Sequence, residues 1–345
     1  MKLTKPLQWL GSDASPTAKR ALQLLKLAIV LVLFIVIYWI VDFEKILIVL
    51  AGANLYYVAA GFIVYIGSIY LTALQFKILA KQEDINLSVG QVAAINLSIM
   101  FYLLFLPGTF LGSGLRWYKV SQAQGKPTES LAAVAFNRLY DLFLIGVFGL
   151  GFWIISGQNN TQTYAVGLVI ILLLIALLWI GITRISVPIS IWVGSAIERT
   201  SQGTLIRTGL EKIQKLLSAT AVYGEISAGD LIALVIVGAG RLLVGLVVYI
   251  LLARSVGINL PVSDMGWIRS VVLLFAFIPF TIAGGLGIRE IGLIAMLSAF
   301  GISAEVAVAF SILLLALTVF YGLVGGVIEG IDAIRKGKWI GLPKD

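Results

Sequence analysis

The chain has 345 residues, of which 60% are hydrophobic and 12% charged, a composition too apolar for soluble domains to hide. Lys and Arg number 25 against 17 Asp and Glu; the resulting charge of +8 clusters beside apolar runs, where it reads as a topology signal and not as a nucleic-acid footprint. The absence of Cys and His excludes disulfides, thiol nucleophiles, imidazole bases and the usual zinc and haem ligands, and no Walker loop or dinucleotide fingerprint occurs, so neither metal nor cofactor is expected.

In chain order, Lys2, Lys5, Lys19 and Arg20 precede the apolar stretch Leu27 to Val41, which predicts a retained first span with a cytoplasmic N-terminus. Residues 42–53 predict an outer loop with an interfacial helix, and Leu55 to Leu79 returns through the membrane to Lys77 and Lys81. Ser88 to Leu106 is the third apolar run. A full crossing there would strand Arg116, Lys119 and Lys126 outside, whereas a re-entrant hairpin turning at Pro107-Gly108 keeps them inside.

Glu129 to Ile155 then crosses outward and Tyr164 to Ile182 crosses back to Arg184. Residues 184–229 hold Arg199, Arg207, Lys212 and Lys215, with Ile206, Leu210, Ile213 and Leu217 at helical spacing. That pattern predicts an amphipathic helix on the cytoplasmic membrane surface. Leu231 to Leu252 crosses outward, Met265 to Phe300 forms a second broken hairpin, and Glu305 to Ile328 returns to Arg335, Lys336 and Lys338.

The expected fold is therefore all-α and polytopic. It has about six full transmembrane helices and two re-entrant broken-helix hairpins, with both termini cytoplasmic. Residues 1–345 read as a single transmembrane domain, with halves at 55–155 and 230–330 separated by the insert at 184–229. Each half runs span, hairpin, span in opposite orientation, an inverted repeat of the kind many secondary transporters use.

The motif Gly112-Ser113-Gly114-Leu115-Arg116 returns 173 positions later (285 minus 112) as Gly285-Leu286-Gly287-Ile288-Arg289. Each copy follows a proline that closes an apolar run, Pro107 with Gly108 and Pro279 with Gly284. Pro removes a donor and Gly relaxes the backbone, so both places are expected to be helix breaks built from Pro107, Gly108, Gly112, Gly114, Pro279, Gly284, Gly285 and Gly287. In lipid such backbone is tolerated only where protein or a wet cavity satisfies it.

Arg138 and Asp141 lie about 15 Å into their span, on a common face, and Arg241 lies about eleven residues past Asp230. A charge near the bilayer centre costs roughly 2.5 to 3.5 kcal/mol on insertion scales, so several together imply pairing, a wet cavity or a ligand. With Arg116, Arg289 and Glu290 the cluster is basic on balance. Guanidinium matches phosphate bidentately, and a lipid phosphate is the anion available in a membrane. Simpler readings stand beside this one: Arg138 and Asp141 also fit a locking ion pair, Arg116 an anchor beside Trp117 and Tyr118, and Arg241 a snorkelling side chain or a partner of Asp141.

Pro107-Gly108, Gly112 and Arg116, then Asn137-Arg138-Leu139-Tyr140-Asp141, then Gly284-Gly285-Leu286-Gly287-Ile288-Arg289-Glu290 together resemble the lysylphosphatidylglycerol synthase transmembrane region, a flippase-like family of bacterial and archaeal inner-membrane proteins. The resemblance runs from about residue 20 to 335. Ser113 and Asn137 stand where the family commonly carries acidic residues, and the interval from Pro107 is one residue longer, which leaves the expected cavity more positive.

Family members fused to a soluble aminoacyl-transfer domain make lysyl lipids and move them. The chain ends at Asp345, so the resemblance implies the translocating half without the synthase half. The expectation is a lipid translocator of the cytoplasmic membrane and not an enzyme, acting on an anionic or aminoacylated phospholipid or a polyprenyl-phosphate lipid. Its expected partners are membrane lipids, with a homo-oligomer or a lipid-synthase neighbour as further partners. The rival expectations are a partner subunit of such a synthase and a lipid-linked transferase.

Overall fold

A computed structural model describes residues 43–105, 109–157, 189–195, 222–275 and 288–336, with isolated positions between 169 and 218. Among the described residues nine α-helices and a short 3-10 turn have defined bounds, residues 189–195 are helical as well, and none is in a strand. Helix α1 spans Phe43–Ala51, α2 Leu55–Lys81, α3 Val89–Leu103, α4 Thr109–Gln124 and α5 Pro127–Ile155. After the 3-10 turn Val222–Gly224 come α6 Ala228–Ser255, α7 Val262–Phe275, α8 Ile288–Ser298 and α9 Ala304–Lys336. The spans expected at 27–41 and 164–182, and the amphipathic stretch from Ile206 to Leu217, lie outside the described residues apart from single positions.

The helices begin where the sequence supplies caps. Asn54 Oδ1 accepts from the Tyr56 amide, Ser88 and Gln91 form a reciprocal capping box, Pro127 opens α5, and Ser227 Oγ accepts from the Asp230 amide. Four helices, α2, α5, α6 and α9, are long and apolar enough to cross a membrane. The 27 residues of α2 rise about 40 Å, more than the roughly 30 Å of hydrocarbon. Between these long helices sit pairs of short ones, α3 with α4 and α7 with α8.

Packing in one half recurs in the other. Helices α2 and α6 pack against each other, α3 packs on α9 as α7 packs on α5, and α4 packs on α5 as α8 packs on α9. Small residues permit the close crossings, as expected where lipid is no poorer a neighbour than protein for apolar surface. A Cβ on Gly149 of α5 would press on Ser270 of α7, and one on Gly322 of α9 would press on Leu104. These two glycines stand 173 positions apart (322 minus 149), the same interval as the repeated motif.

The tightest crossing is at Gly325, where a Cβ would collide with the Leu97 carbonyl of α3, an atom that no side-chain rotation moves. Gly325→Val is therefore expected to destabilise the fold by about 1–3 kcal/mol or more. A lowered melting temperature and an aggregated elution profile in detergent would show it; unchanged melting would contradict this packing.

Two sets of ends share each face of the bundle. Lys81 pairs with Asp230 at 3.7 Å and Lys126 Nζ donates to the Asp84 carbonyl at 3.0 Å, so the end of α2 and the starts of α5 and α6 lie together. At the opposite face the Asn54 amide donates to the Ser255 carbonyl at 2.9 Å. On the first face Glu83 is buried beside Tyr223, whose hydroxyl donates to the Leu79 carbonyl at 3.4 Å.

Burial, reinforced by the nearby carboxylates of Glu129 and Asp84, pushes the Glu83 carboxyl up to about 7, against the opposing pull of Tyr223 and Lys126. A raised carboxyl favours the protonated folded state. This contribution to stability is complete below the ordinary 4.5 and is lost as pH rises through about 7. The melting temperature is expected to fall between about pH 5 and pH 8, and Glu83→Gln to flatten that slope. An equal slope in the variant would remove Glu83 as its source.

Candidate functional site

Three long helices bring polar side chains to one level of the bundle. Asn137 and Asp141 are one turn apart on α5, Gln75 faces them from α2, and Arg241 faces them from α6. Arg241 Nη2 donates to Asp141 Oδ1 at 2.7 Å and Arg241 Nε donates to Gln75 Oε1 at 2.9 Å. Gln75 Nε2 donates in turn to Asp141 Oδ1 at 2.9 Å and to Asn137 Oδ1 at 3.1 Å, while Asn137 Nδ2 donates to Asp141 Oδ2 at 3.1 Å. Both oxygens of the carboxylate are thus engaged.

Arg138, the neighbour of Asn137, turns toward α4, where its Nη1 donates to Ser113 Oγ at 3.3 Å. Arg116, two turns into α4, lays its guanidinium over the Phe76 ring at 5.4 Å from the centroid. It makes no hydrogen bond to another described residue. Arg116, Arg138, Asp141, Asn137, Ser113 and Asn96 line one cavity of about 330 Å³ bounded by α2, α3, α4 and α5. Asn96 is 9% exposed, yet neither its amide oxygen nor its nitrogen has a hydrogen-bond partner. Such an orphaned group costs about 1–3 kcal/mol.

A second cavity of about 190 Å³ lies among α2, α6, α7 and α9, lined by Arg269, Tyr249, Thr318, Tyr65 and Ser68. Gly245 leaves room for the Arg269 guanidinium, which a Cβ at that position would overlap, and Arg269 Nη1 donates to the Leu242 carbonyl at 3.3 Å. Tyr65 and Ser68 line both cavities. The first cavity reaches from Val134 to Asp141, about 10 to 21 Å from the start of α5; the second is walled by Leu314 and Thr318, about 15 to 21 Å from the start of α9 at the opposite face. Arg116, Arg138, Arg241 and Arg269 therefore stand against the carboxylate of Asp141 alone among the described residues that line or pair across the two cavities.

Of the residues expected from sequence, Arg116, Arg138, Asp141 and Arg241 come together here. Asp141 pairs with Arg241, one of the simpler readings for that arginine. Arg289 and Glu290 occupy the first turn of α8, and their side chains lie outside the described residues. Gly112 and Gly114 fall inside α4 and not in a break, which corrects that expectation: the helix begins at Thr109, and Gly112 instead admits the Leu103 side chain, 3.1 Å from where a Cβ would stand. Pro107, Gly108, Pro279, Gly284, Gly285 and Gly287 lie outside the described residues.

Sequence reasoning missed Arg269, Gln75 and Asn96. It also missed a tie on the first face, where Lys119 Nζ of α4 meets Glu329 Oε2 of α9 at 2.5 Å and the Tyr102 hydroxyl of α3 donates to Glu329 Oε1 at 3.1 Å. One signal was available for Arg269, which stands 173 positions after Asn96 (269 minus 96), in register with the motif repeat.

No curated protein and no solved structure matches the chain. Residues 23–326 match the family described as the lysylphosphatidylglycerol synthase TM region, and with that span matched the chain belongs to this family of membrane domains.

Proposed function

We propose that the protein is a flippase-like transporter that carries the phosphate-bearing headgroup of a lipid through the polar interior of the bundle while the acyl or prenyl tails stay in the membrane. Arg116 carries this reading. It lines the larger cavity with an arginine's five donors, makes no hydrogen bond to another described residue, and lies between transmembrane segments where an uncompensated cation is costly. A phosphate would satisfy it, and Arg138 lines the same cavity.

The recurring packing of the two halves supports an inverted repeat in which α3–α4 and α7–α8 are re-entrant hairpins. The two cavities, reaching the middle of the bundle from opposite ends and sharing Tyr65 and Ser68, would then be successive stations on one route. Arg241 and Asp141 hold the route's wall, and Arg289 and Glu290 stand at the start of the second inner helix, where a half-helix N-terminus favours an anion. The setting is a cytoplasmic membrane with both chain ends on its cytoplasmic side, and the protein acts as a carrier and not as an enzyme. Asp141 accepts three hydrogen bonds, which leaves it poorly placed as the base of a lipid-linked transferase.

The test is reconstitution of the purified chain in liposomes carrying fluorescent phospholipids of several headgroups, with an impermeant quencher to report movement between leaflets. Headgroup-selective movement supports the reading. No movement from folded protein, together with a stoichiometric co-purifying synthase, would replace it with that of a partner subunit.

A further inference from the structure

One buried carboxyl lies where the two halves of the chain meet, and the transport reading makes no use of it. Glu83 follows the end of α2, is 6% exposed, and has no hydrogen-bond partner for its Oε1. Three backbone bonds fasten the turn that carries it: the Glu83 and Ile85 amides donate to the Ala80 carbonyl, each at 3.1 Å, and the Asp84 amide donates to the Lys81 carbonyl at 3.0 Å. This turn is the fixed side of the junction. The other side is Tyr223, in the turn before α6, whose ring stacks on Phe136 of α5 at 3.9 Å between centroids. Leu79 of α2, Ala132 of α5 and Leu234 of α6 complete an apolar cluster around the stack.

The hydrogens available at this junction favour a protonated acid. Tyr223 has one phenolic hydrogen, which its hydroxyl donates to the Leu79 carbonyl at 3.4 Å, and the same hydroxyl is hydrogen-bonded to the Glu83 carboxyl. A protonated Glu83 donates to the phenol oxygen, and both contacts are then made. An ionised Glu83 brings only acceptors, so the one phenolic hydrogen must leave either the carboxylate or the carbonyl.

No cation is paired with the carboxyl among the described residues. Lys126 Nζ of the α5 start donates to the Glu83 and Asp84 carbonyls at 3.5 and 3.0 Å, and Lys81 turns to Asp230 at 3.7 Å. Asp84 on the same turn and Glu129 in the first turn of α5 are like charges nearby, and the end of α4 brings only the uncharged Gln124, which accepts from the Asn86 amide. Burial first, and then these like charges, raise the carboxyl to about 7, which sets its proton exchange near neutral pH.

We propose that Glu83 is a proton-binding site that fastens the ends of α2, α5 and α6 together when protonated, and that loss of its proton to solvent releases Tyr223 and loosens this junction. The inference goes beyond the transport reading and does not rest on it. Because α2 and α5 precede the insert and α6 follows it, release here parts the two halves at the face where α5 begins.

The test is thiol reactivity of the full chain in detergent, where no native cysteine interferes. Ala132→Cys places a thiol in the buried cluster, and Ala123→Cys, exposed near the end of α4, reports the pH dependence of a thiol as such. The ratio of their rates with a charged thiol reagent is expected to rise by about tenfold or more between about pH 5 and pH 8, because closure weakens as pH climbs from the ordinary 4.5 toward about 7. Glu83→Gln still donates to the phenol oxygen and carries no charge, so it is expected to hold the ratio flat at its low value. Leu79→Cys serves as the buried probe if Ala132→Cys does not fold. A flat ratio with Glu83 in place, or an equal rise in Glu83→Gln, overturns the proposal and leaves the transport reading as it stands.

Discussion

Replacing Asp141 with alanine is expected to destabilise the protein by about 3–5 kcal/mol, the largest effect of any single substitution at this site. The cause is what remains and not what is removed. Arg241 would keep its guanidinium in the middle of α6, 14% exposed, with its ion-pair partner at 2.7 Å gone. Gln75 and Asn137 are buried and would each lose an acceptor; Gln75 Nε2 would keep its bond to Asn137 Oδ1, while Asn137 Nδ2 would be orphaned. Asp141→Leu combined with Arg241→Met removes both charges and is expected to recover much of the loss, because a buried pair contributes little net stability even where breaking it is severe. Thermal unfolding of the purified variants in detergent checks this. A single variant that melts with wild type, or a double variant worse than either single one, would contradict the network.

Replacing Arg116 with alanine is expected to leave the fold largely intact and to abolish most of the proposed lipid transport. Within the protein the change removes a stacking interaction over Phe76, worth about 0.5–1 kcal/mol at an exposed site and more when desolvated, together with the packing of the side-chain stem. Toward the proposed phosphate it would remove two charge-assisted hydrogen bonds at about 1.5–3 kcal/mol each, so the proposed transport at limiting lipid is expected to slow at least tenfold. Arg116→Lys keeps the charge without the planar fork and is expected to fall between the two. Initial rates of leaflet exchange in liposomes, read beside melting temperature, separate the outcomes. Full rates in folded Arg116→Ala would remove this residue from the site.

Much of this arrangement is legible in the sequence, for reasons of two kinds. Long apolar runs have no alternative in a membrane, so α2, α5, α6 and α9 follow from hydropathy alone. Charge within such runs is conspicuous because it is costly, which is why Arg138, Asp141 and Arg241 could be picked out and why Asp141 and Arg241 pair. Uncharged polar residues carry no such mark. Gln75 and Asn96 look like ordinary members of their helices until packing shows one joined to the Asp141 carboxylate and the other joined to nothing.

Arg269 sits in the middle of α7, two residues past Trp267, and a cation close to an aromatic residue is also what a membrane interface carries. The position of Gly112 and Gly114 inside α4 was hidden for a different reason. Glycine lowers helix propensity, but in a membrane bundle it also permits the close approach that Leu103 makes to Gly112, and in this case packing outweighed propensity.

On the proposed reading the polar interior is a route reached from both sides and not a locked ion-pair core. The chain contains no cysteine, so single cysteines can be introduced without background. Ser113→Cys, in the first cavity, and Thr318→Cys, in the second, would be exposed in sealed vesicles to a charged, membrane-impermeant thiol reagent added to one side at a time. Ser113→Cys is expected to react from the side where α5 begins and Thr318→Cys from the opposite side, and added phosphate lipid is expected to slow both reactions. Reaction at neither position, or at both from the same side only, would contradict it.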